Sequence, residues 1–197
     1  MNLRWLWVGL GYALLAVFGV VLALWVNDAD PLWHPSPAVV LSPWLREGLS
    51  CVLGALFAAV VIVATRALVA HAAWARALHQ ELRPVSVGMS TPLIVLLAAL
   101  SALGEELFFR GFLTPWIGVI AQALVFGAAH QIRGPSRWWW MGWAAFAGLA
   151  LGLLYWGIGT LSGPVLAHAL INAVNLAYLR DHDVTDRPTR LGGLLRT

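Results

Sequence analysis

GEELFFRG, residues 104–111, sets three ionisable side chains, Glu105, Glu106 and Arg110, inside otherwise apolar sequence. On insertion scales a charged side chain at bilayer depth costs about 2.5–3.5 kcal/mol, so three within six residues need compensation. Two compensations are common. The charges pair with one another, or they line a water-filled site where chemistry is done.

The rest of the chain identifies the solvent as lipid. Of 197 residues, 60% are hydrophobic and 11% charged, and the mean hydropathy is +0.79. That composition excludes a soluble domain. Apolar runs near 5–26, 48–70, 91–109, 115–130, 139–157 and 163–179 mostly approach the ~20 residues needed to cross a hydrocarbon core of ~30 Å. The expected fold is all-α, a polytopic membrane bundle of about six transmembrane helices, with 115–130 the shortest. The first run is long and Trp-rich and no A-x-A-like site follows it, so it reads as a span and not as a cleaved signal peptide. Three regions are expected: two spans with a surface helix or loop over 1–90, a helix core over 91–180, and a flexible cytoplasmic tail over 181–197.

A net charge of +3 and a pI near 9.8 raise the question of nucleic acid. The distribution excludes it, because the twelve cations are all arginines scattered between spans and form no basic stripe. Arg4 precedes span 1, and Arg66, Arg76 and Arg83 lie between spans 2 and 3. Arg133 and Arg137 lie between spans 4 and 5, and Arg180, Arg187, Arg190 and Arg196 follow span 6. The alternate loops hold Arg46 and the acidic Asp28 and Asp30. Leaving the intramembrane Arg110 aside, the positive-inside rule places both termini in the cytoplasm. An integral protein of a bacterial inner (cytoplasmic) membrane is expected.

Other features carry less. Cys51 falls in a span and reads as a small buried residue. Most tryptophans lie near span ends, as interfacial belts require. The Pro-rich segment 27–37 reads as an extended external loop with His34 exposed. The stretch 71–84 has apolar residues at helical spacing and reads as a short helix on the inner membrane surface, decorated by His71 and His79.

The polar residues at bilayer depth carry the functional argument. Glu106 and Arg110 are four apart with Glu on the N-terminal side, the favourable orientation for a helical ion pair. Glu105, rotated by about 100°, is left unpaired, as suits a general base. His130 follows Phe126 by four residues and shares its helix face. In the last span His168, Asn172 and Asn175 form one polar stripe. Imidazole and carboxamide groups together can donate hydrogen bonds to a developing oxyanion. The competing reading of each is a helix–helix hydrogen bond, worth about 0.6 kcal/mol. Three spans carrying such groups together favour a site.

The ordered set E-E-x-x-x-R (Glu105, Glu106, Arg110), F-x-x-x-H (Phe126, His130) and H-x-x-x-N (His168, Asn172) resembles the CPBP (ABI) family of intramembrane proteases, which includes the type II CAAX prenyl endopeptidases. The resemblance covers about residues 90–180 and makes 91–180 the catalytic core. It implies hydrolysis of a peptide bond in a membrane-anchored protein or peptide. Glu105 with His130 would activate a water, and His168 with Asn172 would stabilise the oxyanion. Glu106, Arg110, Phe126 and Asn175 would support the site. No metal is favoured, since H-E-x-x-H is missing and the two histidines lie on different helices. If zinc were held, Glu105, His130 and His168 would be its ligands with one position open. Two alternatives stand beside this reading: a CAAX-type enzyme acting on a cytosolic prenylated protein, and a non-catalytic membrane immunity or binding protein.

Depth counting bears on the substrate. Glu105 lies about 21 Å from the inner end of span 3 and His168 about 8 Å from the outer end of span 6. Both values put the site in the outer half of the core, with His130 deeper unless span 4 tilts or starts late. An opening to the outside is therefore expected, suiting an exported, anchored substrate of the sorting type.

Overall fold

A computed structural model describes residues 3–185, and over them the protein is a bundle of helices. Helix α1 spans Leu3–Val26 and α2 spans Pro43–His71; α3, Ala73–Leu82, passes through a 3-10 turn, Arg83–Val85, into α4, Thr91–Glu105. A π-helical stretch, Glu106–Leu113, continues α4 into the short α5, Thr114–Ile117. Then follow α6, Val119–Ala129, α7, Arg137–Ile158, and α8, Ser162–Asp181. The six apolar runs all become helix. Four helical segments, 3–26, 43–71, 91–117 and 137–158, are long and apolar enough to cross a membrane. Helix α6 has 11 residues, about 16 Å, and reaches only part-way. Helix α8 has 20 residues, enough for a ~30 Å core, and carries the polar stripe of His168, Asn172 and Asn175.

The packing centres on α8, which lies between α2 and α4, while α1 covers α4 and the π-helical stretch and α6 packs along α7. Small residues allow the tightest approach. A Cβ on Gly54 of α2 would run into the backbone of Gly163 of α8, and the Gly163 amide donates to Ser50 Oγ at 3.1 Å. Without a hydrophobic drive between helices in lipid, such close backbone contact and hydrogen bonding hold spans together. The apolar side chains of α1 and α2, such as Leu14, Val17, Val60 and Val63, face outward, as a bundle solvated by lipid requires.

Both loops singled out in the sequence are built into the bundle. The 27–42 segment caps one end: Tyr155 Oη donates to the Pro31 carbonyl at 3.1 Å, the Leu161 amide to the Leu32 carbonyl at 3.0 Å, and Asn27 Nδ2 to the Phe112 carbonyl at 2.9 Å. His34, expected to be exposed, is half-buried with its ring edge-on to Tyr155 at 5.2 Å. At the opposite end α3 lies across the bundle. Trp74 stacks on Trp139 at 4.6 Å, and Glu81 accepts from Ser136 Oγ at 2.7 Å. His79 is buried, not a surface decoration, and its Nε2 lies 2.8 Å from the His182 carbonyl. Asp183 pairs with Arg83 at 3.2 Å, so the first residues of the expected tail dock on this end. The tail beyond residue 185 lies outside the described residues.

Candidate active site

The site is assembled where α4 passes into its π-helical stretch. An α-helix turns successive residues by about 100°, which would aim Glu105 and Glu106 at different neighbours. The wider π winding, frequent at functional sites, turns them less, and both glutamates face α8. His168 lies between them. Its Nδ1 is 2.7 Å from Glu106 Oε1 and its Nε2 is 3.8 Å from Glu105 Oε2.

The buried pair forms as the spacing predicts, with Arg110 donating to Glu106 Oε1 at 2.7 Å and both side chains fully buried. Arg110 also donates to the Gly148 carbonyl at 3.4 Å, and its guanidinium lies over the Phe126 ring at 4.4 Å. Its charge therefore meets a carboxylate, a carbonyl and an aromatic face. Two charges cost less in the membrane paired in this way than alone.

His130 arrives by a route that depth counting left open. Gly118, with φ of +84°, breaks the chain between α5 and α6 in a conformation that favours glycine. Twelve residues lead from Glu105 to Ile117, and twelve from Gly118 lead back to His130. The later start of α6 returns His130 to the level of Glu105, with Nε2 3.6 Å from Oε2. His130 Nδ1 lies 2.8 Å from the Phe126 carbonyl. A carbonyl only accepts, so that nitrogen carries the hydrogen and a neutral ring turns its Nε2 lone pair toward Glu105. By the same argument the Glu106 carboxylate holds the hydrogen of His168 on Nδ1. Two imidazole nitrogens thus converge on Glu105 Oε2, a buried oxygen without a hydrogen-bond partner among the described residues.

The remaining residues extend the site. Asn172 Nδ2 donates to Ser101 Oγ at 3.0 Å, which leaves its second amide hydrogen free to bond elsewhere. Asn175 does not join the glutamates. It accepts from Arg66 at 2.9 Å, two turns along α8 from His168. Ser101, four residues before Glu105 on the same face of α4, and Arg66, counted in the sequence only as a topological marker, are the residues that motif spacing overlooked. No metal was favoured from the sequence, and Glu105, His130 and His168 were named as ligands only for the case that zinc is held. Among the described residues no group of three or more His, Cys, Asp or Glu side chains is arranged to hold a metal ion.

A cavity of about 390 Å³ opens on these groups. Its walls run from Glu105, His130 and His168 past Ser101 and Asn172 to Arg66, Trp74, His79 and Met89. It leads to the α3 end of the bundle, which carries Arg66, Arg76 and Arg83. The 27–42 segment caps the other end of the bundle.

Residues 87–174 match the family model described as type II CAAX prenyl endopeptidase Rce1-like. Over this segment, less than half of the chain, the protein is similar to that family. The matched segment contains every residue of the cluster around Glu105. A relative of Bacillus subtilis, described as uncharacterized protein YpbD, is 37% identical over 91 residues, 46% of this chain and 48% of that protein. The chain thus spans about half the length of the curated relative it matches. No solved structure matches it.

Proposed function

We infer that the protein is an intramembrane endopeptidase whose membrane-anchored substrate enters from the α3 end of the bundle. The observation that carries this reading is the convergence of His130 and His168 on Glu105 Oε2 at the closed end of a cavity. Three acceptors facing one another across 3.6 and 3.8 Å suit a water. A water oxygen about 2.8 Å from each of two acceptors bridges such a gap and donates both hydrogens.

In the proposed reaction Glu105 takes one proton from that water while its oxygen attacks the scissile carbonyl carbon. His130 holds the water in line through Nε2. The tetrahedral oxyanion is met by the free Nδ2 hydrogen of Asn172 and by an Nε2 hydrogen on His168, a proton taken up from solvent as the substrate binds and returned to solvent on product release, while Nδ1 stays bonded to Glu106. The carbon–nitrogen bond then breaks, the proton on Glu105 passes to the leaving nitrogen, and the products are one carboxylic acid and one amine. Glu106, Arg110 and Phe126 hold the His168 ring. No step needs a metal, so activity should survive a chelator.

With the arginine-rich end in the cytoplasm, the cavity faces the cytosol of the bacterial cell. That favours a cytosol-facing, CAAX-like substrate over an exported one. The test is hydrolysis by the purified protein in lipid vesicles, run in heavy-oxygen water. Incorporation of the heavy label into the new carboxyl group supports the reading. A protein that binds the peptide without cleaving it would be an immunity or binding protein instead.

A further inference from the structure

The end of the bundle opposite α3 holds a second cavity, a groove of about 440 Å³. Leu103 of α4 and Leu166 and Ala169 of α8 form its apolar walls, and Glu47, Thr160 and Ser162 stand at its head. Leu103 is exposed, so the groove opens sideways onto the lipid-facing surface. Thr160 Oγ1 donates to Glu47 Oε1 at 2.8 Å and lies 3.3 Å from Ser162 Oγ. A hydroxyl has one hydrogen. That of Thr160 goes to Glu47, so Ser162 is the donor at the second contact. The free lone pairs of Glu47 and Ser162 therefore leave the head of the groove rich in side-chain acceptors, and among the described residues Glu47 has no ion pair. Arg46, the next residue on α2, lies 5.6 Å over the ring of Trp33, which also walls the groove. Among the described residues its one hydrogen bond goes to the Leu41 carbonyl at 3.4 Å.

We propose that this groove binds one phosphatidylethanolamine molecule, with an acyl chain between α4 and α8, the ammonium at Glu47 and Ser162, and the phosphate at Arg46. In a bilayer any acyl chain can fill a concave apolar surface, so the polar groups at the head decide which lipid stays. A carboxylate there disfavours an anionic headgroup. A primary ammonium brings three N–H donors to these acceptors, and its bond to a carboxylate is charge-assisted. A quaternary ammonium carries the same charge without a donor. The adjacent cation and anion of Arg46 and Glu47 thus match the phosphate and the amine of one zwitterionic headgroup. Leu103 precedes Glu105 by two residues and Leu166 precedes His168 by two. The bound lipid therefore braces the two spans that carry those side chains, whatever reaction they perform.

The test uses the full-length protein, purified in detergent and mixed with dioleoyl lipids that differ only in the headgroup. Native mass spectrometry reads the lipid retained, and thermal melting reads its effect on the fold. For wild type we expect one phosphatidylethanolamine held about tenfold more tightly than phosphatidylglycerol or phosphatidylcholine, with a melting temperature that rises as this lipid is added. The N-monomethyl and N,N-dimethyl lipids should fall between, as donors are lost one at a time. In Glu47→Gln the preference for ethanolamine over choline should fall to near one. Ala169→Phe, which narrows the groove below its head, should weaken retention of all the lipids. The methylation series needs no variant, so a Glu47→Gln protein that fails to fold leaves the test intact. Equal retention of the ethanolamine and choline lipids by wild type, or an unchanged preference in a folded Glu47→Gln, overturns the proposal. So does a dimer that forms when lipid is stripped and that Ala169→Phe dissolves, since the groove would then be covered by a second copy of the chain.

Discussion

His168 Nδ1 lies 2.7 Å from Glu106 Oε1, the same oxygen that Arg110 reaches at 2.7 Å. One carboxylate oxygen thus joins the arginine of its own helix to the imidazole of another. The charge pair therefore does more than lower the cost of insertion. It fixes which nitrogen of His168 carries hydrogen and aims the other at Glu105.

Removing the arginine should damage the fold before the chemistry. Arg110→Ala leaves Glu106 an uncompensated buried charge and should cost about 3–5 kcal/mol, read as a lower melting temperature in detergent. The double change Glu106→Gln with Arg110→Met should recover part of that loss. A single variant that melts like the unmodified protein would show that the pair does not stabilise the bundle.

The α3 end should respond to pH. His79 lies outside the spans, and burial pushes its imidazole below the ordinary histidine value, against the opposing bond to the His182 carbonyl. With the folded value below the unfolded one, the fold favours the neutral ring. That contribution is complete above the unfolded value of about 6.5 and is lost as pH falls through the folded value. Amide hydrogen exchange over 73–82, corrected for intrinsic rate, should quicken in acid, and His79→Gln should flatten the dependence. Protection that stays constant through that range would argue against a neutral His79 as the pin.

Sidedness can be read directly. Single cysteines in the 158–162 turn and the 71–84 stretch, in a Cys51→Ala background, should differ toward an impermeant thiol reagent on intact cells. The turn should label and the 71–84 stretch should not. The reverse pattern would put the cavity mouth outside the cell.

Much of this was legible in the sequence because lipid makes polar residues conspicuous. Glu106–Arg110, Phe126–His130 and His168–Asn172 stood out against apolar spans, and their helical spacings survive in the structure. What spacing could not give was the π-helical winding after Glu105, since α and π turns share residue preferences and differ by one residue per hydrogen bond. The return at Gly118 was hidden in the same way: one glycine in an apolar run looks like a packing residue until its backbone angle is known. Depth counted along one helix leaves the direction of access open, because closure also depends on a distant segment, Pro31 meeting Tyr155. Arg66 was read only as a topological marker because its bond to Asn175 joins two helices 109 residues apart in sequence.

The central claim is that Glu105 activates the attacking water. The most direct measurement compares membrane proteomes of cells producing wild type and Glu105→Gln at equal levels, searching for new peptide termini. Gln keeps the size and hydrogen bonding of the side chain but not its basicity, so cleavage should fall by at least about 10²-fold while the protein stays inserted. A membrane-anchored protein cut in wild type and intact in the variant is the predicted result. The same cut site at similar abundance in both would contradict it.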